Sequence, residues 1–399
     1  MYRKKPFFFI FPLMAMLYSG CSKVAESPTS NPSSSGIKFY GTNAGNFLAS
    51  FEGTADGGYI FGGNTIGSIS EPDQGFIQKC DKSGNVEWYQ TYGGQLHDDF
   101  YAVHPTSDGG FIAAGGAANL PYVVKANANG TEAWHQTFVG MDGDWFYDIK
   151  ETPDHGFVAV GFIISGTERA FVVKMDANGN TLWTQPLFAG YSGSYAGSVA
   201  IGPNGEIAIA ATAPKSTKTT DQGTYYAAFA YLSASGKVMV SNDVFNSLGV
   251  IGNGTYGKLI STINGFFYVV NHETVQDSVL IFKIDFTGKV LWHYPFYASG
   301  GVAYDNAIGT QDGGLLVCGN AFDISGNYSC WLLNTDSSGK KRWDCEVPAK
   351  GYYAFAAGVV QTGNTFGMGV DLSTPSKNRQ SFFGFMTIDQ NGKIIENGK

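Results

Sequence analysis

Side chains able to carry chemistry are few in this chain and widely scattered. The six histidines are His97, His104, His135, His155, His272 and His293, and none forms an H-E-x-x-H pair or another ligand pair at helical spacing. Carboxylates cluster at "HDD" (97–99) and "DGD" (142–144), so Asp98, Asp99, Asp142 and Asp144 are candidate oxygen ligands for a cation such as calcium. Solvated loop tips are the competing reading. Four cysteines, Cys80, Cys318, Cys330 and Cys345, lie beyond the N-terminal segment. In "CWLLNTDSSGKKRWDC" the turn 336–339 is centred between Cys330 and Cys345, which predicts that the two face each other across a hairpin at bridging distance. Cys318 with Cys330 is the rival pair, and free thiols are the third reading. No nucleophile–base–acid set can be assembled, and no cofactor is expected.

The elements that must hold these residues come from a repeat. "DKSGNVEW" (81–88), "NANGTEAW" (127–134), "DANGNTLW" (176–183), "DFTGKVLW" (285–292) and "DSSGKKRW" (336–343) share one pattern. Its glycine recurs at Gly84, Gly130, Gly179, Gly236, Gly288, Gly339 and Gly392, at intervals of 46 to 57 residues. A second landmark, "DGGYIFGG" (56–63), "DGGFIAAGG" (108–116), "DHGFVAVG" (154–161) or "DGGLLVCG" (312–319), precedes each apolar run, with weaker copies in the other three units. Short β-rich runs between tight turns, four per unit and seven units, predict an all-β fold: a seven-bladed β-propeller of four-stranded antiparallel blades over 37–399. Strands are named A to D from the axis outward. The Asp-Gly-Gly turn then joins A to B, and the D-x-x-G turn joins C to D. Turn Asp and Gly serve backbone geometry. Trp88, Trp134, Trp183, Trp292 and Trp343 open strand D, where a flat ring can fill the gap between blades. "IKFYGTNAGNFLASF" (37–51) and the C-terminal "GKIIENGK" can each supply an outer strand to the last blade. One of them must close the ring, since an open propeller leaves bare sheet edges.

The first 36 residues read differently. "MYRKK", then "PFFFIFPLMAML", then "YSGC" reads as a lipoprotein signal peptide (1–20) cleaved before Cys21, the lipid-bearing residue and membrane link. Residues 21–36 form a Ser/Pro-rich tether. A bacterial cell-envelope location follows, at the outer membrane or cell surface. Formal charge is −8, and loss of the three positive charges of the n-region takes it to −11. Only Arg169, Arg342 and Arg379 remain as arginines, so nucleic acid is not an expected partner.

"KIDFTGKVLWHYPF" and "KMDANGNTLW" resemble the blade motif of quinoprotein-like (PQQ-repeat-like) propellers, in which an Asp, a Gly turn and a Trp recur once per blade. The resemblance implies the fold over 37–399 and a lipoprotein setting. It does not carry the cofactor, because this chain has no adjacent cysteines. The spacing D-x-x-G-x-x-x-W also departs from the D-x-G-x-x-W box of sialidases, and the arginines fall in unrelated loops.

In this topology the D–A and B–C loops share one face. The B–C loops vary most, as "ATAPKSTKTTDQGT" (211–224) does, and variable loops on a rigid scaffold are where binding resides. The entry to strand A carries an aromatic column, Phe47, Trp145, Tyr195, Tyr304 and Phe355, expected to ring the channel mouth and to stack on a ligand or, alternatively, to pack between blades. The function expected is a non-enzymatic binding or scaffold module for a glycan, peptide or protein. A propeller enzyme, hydrolase, lyase or oxidoreductase, with its site in the channel is the alternative.

Overall fold

The computed structural model describes residues 36–40, 45–66, 72–94, 97–139, 141, 145–163, 169–188, 193–214, 225–242, 257–272, 278–298, 300–322, 328–347, 351–374, 381–389, 391 and 393–395. The signal-like segment, Cys21, the tether, Asp142, Asp144 and Arg379 lie outside the described residues. Seven antiparallel sheets account for every strand, and no helix occurs among the described residues. The innermost strands are Asn46–Gly53, Asp98–Pro105, Trp145–Glu151, Tyr195–Ile201, Lys258–Thr262, Val302–Gly309 and Tyr353–Thr362. Each touches the next and the last touches the first, so they line a closed central channel. They begin blades 1 to 7, and the weak fourth and seventh repeats both form complete blades.

Burial follows strand position. Strands B and C of blade 2, "FIAAGGA" and "LPYVVKA", are covered on both faces and carry almost only apolar or small residues. Strand D, "EAWHQT", is mostly exposed and reads as polar except for its tryptophan. Blade-to-blade packing therefore forms a ring of core clusters, each spanning two blades.

Both chain ends close the ring. Ile37–Tyr40 pairs with Phe383–Met386 of the seventh blade's strand C, and Ile394–Ile395 pairs with Thr387 and Ile388 of the same strand. The two segments follow one another in register, so one outer strand is assembled from both termini. Tyr40 takes the place of Tyr92 of blade 1. Tyr40 donates from its hydroxyl to the Gly84 carbonyl at 2.5 Å, as Tyr92 donates to the Gly130 carbonyl at 2.6 Å.

The repeated tryptophans wedge the blades together, as the spacing predicts. A Cβ added to Gly130 would lie 2.7 Å from the Trp88 ring, and one added to Gly179 would lie 2.8 Å from the Trp134 ring. Indole Nε1 of Trp88 donates to the Ala128 carbonyl at 3.1 Å, and that of Trp134 to the Ala177 carbonyl at 3.2 Å. In five of the seven repeats the turn holding the glycine opens with an aspartate, as at Gly179: Asp176 Oδ1 accepts from the backbone N–H of Asn178 and Asn180, both at 2.9 Å. Gly179 then adopts φ +82°, which a Cβ disfavours. Blade 4 has no tryptophan there, and Phe229 and Val240 meet Gly288 instead.

The aspartates of the A–B turns do more than open a turn. Lys79, buried at the end of strand C, pairs with Asp56 at 2.8 Å and Glu87 at 2.9 Å. Lys125 with Asp108 and Lys174 with Asp154 repeat this in blades 2 and 3 at 2.9 and 3.0 Å.

The expected opposition of Cys330 and Cys345 does not occur. A five-residue turn (336–340) displaces the register by one residue, and a bulge between Asn334 and Thr335 inserts another on the strand D side, which sets Cys345 opposite Leu332 and Cys330 opposite Val347. On the other side Cys330 lies opposite Asn320 and Cys318 opposite Leu332, so the rival pair does not face either. All four described cysteines are free thiols, and Cys318, Cys330 and Cys345 pack in the core between blades 6 and 7.

Gly179→Ala is expected to destabilise the protein by about 1–2 kcal/mol from the positive φ, with the overlap on Trp134 added. Trp134→Ala alone is expected to cost about 2–4 kcal/mol, the low side of a buried tryptophan. Chemical denaturation of both variants and of the double variant should give a double-variant loss smaller than the sum, because the vacated indole site accepts the new methyl group.

Candidate functional site

The channel holds three chemically distinct levels. At the level nearest the A–B turns, Glu52, His104 and Lys150 occupy equivalent positions in blades 1, 2 and 3. Two residues up the strands stand Asp148, Ser198 and Lys258 in blades 3, 4 and 5. His104 bridges two carboxylates, with Nδ1 2.6 Å from Glu52 Oε1 and Nε2 2.9 Å from Asp148 Oδ1. Lys150 Nζ lies 3.4 Å from Glu52 Oε1, and Lys258 Nζ lies 3.7 Å from Asp148 Oδ2. Asp148 also accepts from the Ser198 hydroxyl at 3.0 Å and from the Val199 N–H at 3.1 Å.

Opposing forces act on these carboxyls. Burial pushes both upward, and the cations reverse it. His104 and Lys150 lower Glu52 to about 2, while Lys258 and His104 hold Asp148 far below the usual carboxylate range. The cluster contains a serine, a histidine and an aspartate, but in the wrong order for nucleophilic catalysis. The carboxylate stands between Ser198 and His104, so the imidazole cannot take the hydroxyl proton. Ser198 also accepts from the Leu259 N–H at 3.3 Å, which ties blade 4 to blade 5. Ser50 does the same for blades 1 and 2, accepting from the Val103 N–H at 3.1 Å. These inner polar residues stitch neighbouring strands together at the axis. Their spacing by one repeat period was readable, but only by comparing a single column across blades.

Higher in the channel, six of the seven inner strands carry a bulge among the described residues. Bulges re-aim a side chain, and the bulged residues include Tyr101, Tyr147 and Asp305. Asp305 is exposed on the inner strand yet deep inside the channel, where desolvation pushes its carboxyl up to about 7 against a 2.6 Å bond from Asn320 Nδ2. Asn320 Oδ1 also accepts from the Ala356 N–H of blade 7 at 3.3 Å.

At the loop-face mouth the aromatic column does not form a uniform ring. Tyr195 is 2% exposed and Tyr304 is 6% exposed, so both are packing residues. Ala303, not Tyr304, stands opposite Asn320, at the position that Phe47 occupies opposite Asn64. Tyr304 thus belongs one place further along, in the blade 5–6 core. Phe47 is 44% exposed, and Trp145 and Phe355 are half-buried. Instead of a ring, the structure has two arcs. In blades 2 to 4 ring contacts run from Tyr101 to Tyr147 (5.3 Å), Phe162 (5.8 Å), Tyr195 (4.8 Å) and Tyr225 (6.2 Å), with Trp145 against Phe162. A second arc joins Phe322, Tyr328, Tyr353 and Phe355 of blades 6 and 7. The first arc includes Tyr101, Tyr147, Phe162 and Tyr225, none of which belongs to the expected column, because bulged and strand-end positions obey no simple alternation.

Asp99 stands two residues before Tyr101 on the same strand. Burial and the neighbouring Asp73 push its carboxyl up to about 6. Asp98 is buried and caps the turn before it, accepting from the Gly94 N–H at 2.6 Å. His97 Nδ1 lies 3.1 Å from Asp73 Oδ2. No group of three or more histidine, cysteine or carboxylate side chains spaced to hold a metal occurs among the described residues.

No protein-family model and no curated protein matches the chain. Solved structures do match in fold. The β-propeller domain of the Trilobed protease from Pyrococcus furiosus aligns at TM-score 0.50 and 10% identity, over 84% of this chain and 97% of that one. The Synechocystis apocarotenoid oxygenase aligns at 0.50 and 10%, over 90% and 92%. Drosophila Semaphorin 2a aligns at 0.51 and 6%, over 89% and 75%. At such identities the likeness is one of fold alone, and it spans enzymes and a semaphorin.

Glu52→Gln is expected to lower the melting temperature at pH 7. The Glu52 carboxyl is depressed in the folded protein, so its contribution is complete above the unfolded value near 4.5 and fades as pH falls towards 2. The gap between wild type and variant should therefore close between pH 4.5 and 2 in a series of thermal melts.

Proposed function

We propose that the protein is a non-enzymatic binding module of the bacterial cell envelope. A lipid on Cys21 holds it to the membrane, and the loop-face mouth of the propeller takes a peptide segment of a partner. The observation carrying this reading is the first aromatic arc. Tyr101, Trp145 and Tyr225 are half-exposed above the buried Tyr147, Phe162 and Tyr195, so rigid rings are offered at little entropic cost. The carboxylates of Asp73 and Asp99 beside this arc favour a peptide bearing lysine or arginine, which aromatic faces also attract. A glycan, stacking on the same rings, is the other ligand that this mouth suits. The blade motif's likeness to quinoprotein-like propellers supports the scaffold role, and the acidic charge of the chain argues against nucleic acid.

A channel enzyme is the second reading, and one observation favours it. Asp305, a carboxyl titrating near neutrality and open to the channel, has the properties of a general acid or base. Asn320→Ala removes the bond that stabilises its ionised form, and is expected to raise the Asp305 value further in an NMR titration.

Tyr101→Ala and Trp145→Ala are expected to weaken capture on a basic-peptide array by about tenfold each, with little change in melting temperature for Tyr101→Ala and a lowered one for Trp145→Ala, whose ring also packs on Gly116. Binding of the same peptides should strengthen as pH rises through about 6, where Asp99 ionises, and Asp99→Asn should flatten that dependence. Capture by neutral glycans alone would move the assignment to sugar, and unaltered capture by both variants would remove the site from this mouth.

A further inference from the structure

The turn face, opposite the aromatic mouth, carries a second site between blades 6 and 7. In blades 1, 2, 3 and 5 strand C ends in a lysine, Lys79, Lys125, Lys174 or Lys283, whose side chain fills the space under the A–B turn. Blade 6 has Asn334 at this position. Its A–B turn keeps the aspartate, Asp312, but the partner is now Arg342, which reaches it from strand D at 2.5 Å. Arg342 stands where blade 1 has Glu87. The exchange of lysine for asparagine and of glutamate for arginine leaves the turn tied down and the space beneath it open.

The result is a cleft of about 480 Å³ between the two blades, inside the range of roughly 300–1,000 Å³ typical of small-molecule sites. Amides line it, from Asn334, Gln361, Asn364 and Asn391. One wall is the half-buried Trp343, packed 5.8 Å from Phe366. Asn334 spends one donor on a long 3.4 Å bond to the Leu315 carbonyl. Side-chain amides both donate and accept, which matches hydroxyl groups. An indole beside them presents the apolar surface on which the C–H face of a sugar ring packs. Among the described residues that line the cleft the charges are Arg342 and Asp312, which neutralise each other, so an ionic ligand would be left without a counter-charge.

We propose that this cleft binds a neutral saccharide of one or two rings. The site is independent of the loop-face mouth, and so is its test. The double variant Asn334→Lys with Arg342→Glu transplants the Asp56–Lys79–Glu87 trio of blade 1 into blade 6 and fills the cleft with a set that the fold already accommodates. Saturation-transfer NMR on the full-length protein, with glucose, N-acetylglucosamine, maltose and chitobiose as probes, should show transfer from at least one sugar. The double variant should lose about tenfold or more in affinity while its melting temperature stays within about 3 °C. Asn364→Trp, at an exposed turn position, should block the same cleft without touching the core. The proposal is overturned by absence of transfer from all four sugars, by transfer that survives both variants, or by transfer that Tyr101→Ala abolishes instead.

Discussion

Each blade is finished by its neighbour. A four-stranded sheet covered on one side only would leave its buried strands wet, and the contact that prevents this is narrow: a flat side chain from strand D of one blade against a turn glycine of the next. Gly130 under Trp88 and Gly179 under Trp134 show why the residue types cannot drift independently. The turn needs an aspartate, asparagine or serine to fold back on itself, a glycine to reach positive φ, and the absence of a Cβ to admit the ring. Three local requirements meet at one point, and the point recurs around the ring. Where the ring closes, Tyr40 supplies a hydroxyl contact to Gly84 in the manner of Tyr92 to Gly130, so the seam is joined by the same logic as the rest.

The axis is held differently. Polar groups join the inner strands: Ser50 to the Val103 amide, Asp148 to Val199, Ser198 to Leu259. Burying a carboxylate such as Asp148 is costly unless cations and donors surround it. Here His104, Lys258 and two backbone amides do so, which converts a candidate catalytic cluster into a structural one. The same geometry explains why Asp305 differs. It stands on a bulge with the Asn320 amide as its donor, and desolvation pushes its carboxyl up to about 7.

How much of this was legible beforehand divides along physical lines. The turn motifs are local, and local chemistry reads directly, so the blade count, the strand order and the role of the tryptophans follow from "DANGNTLW" and its copies. What failed depended on single-residue register. Blade 6 has the small Ala307 where other blades carry a large apolar residue, so Tyr304 falls in the core and Ala303 in the column. A five-residue turn and the bulge beside Thr335 moved Cys345 two places from Cys330. An inserted residue leaves no trace in composition or periodicity. The lysines of strand C were visible as "QKCD", "VKAN" and "VKMD", yet their ion pairs with the A–B turns join segments some twenty residues apart, which no local pattern announces.

The composite outer strand of blade 7 has a mechanical consequence. Ile37 and Ile395 meet at the middle of one sheet edge, opposite Met386 and Thr387. A load arriving through the residues before Ile37 does not spread over the fold. It falls first on four residue pairs, Ile37 to Tyr40 against Met386 to Phe383, and on the bonds from Lys38 and Tyr40 into the turn at 83–85. Those bonds connect the first blade to the last across the only place where the chain does not run continuously around the ring. Tension at that edge would therefore peel the outer strand from blade 7 first, while the aromatic core of Phe51, Phe61, Phe383 and Phe385 still holds the seam.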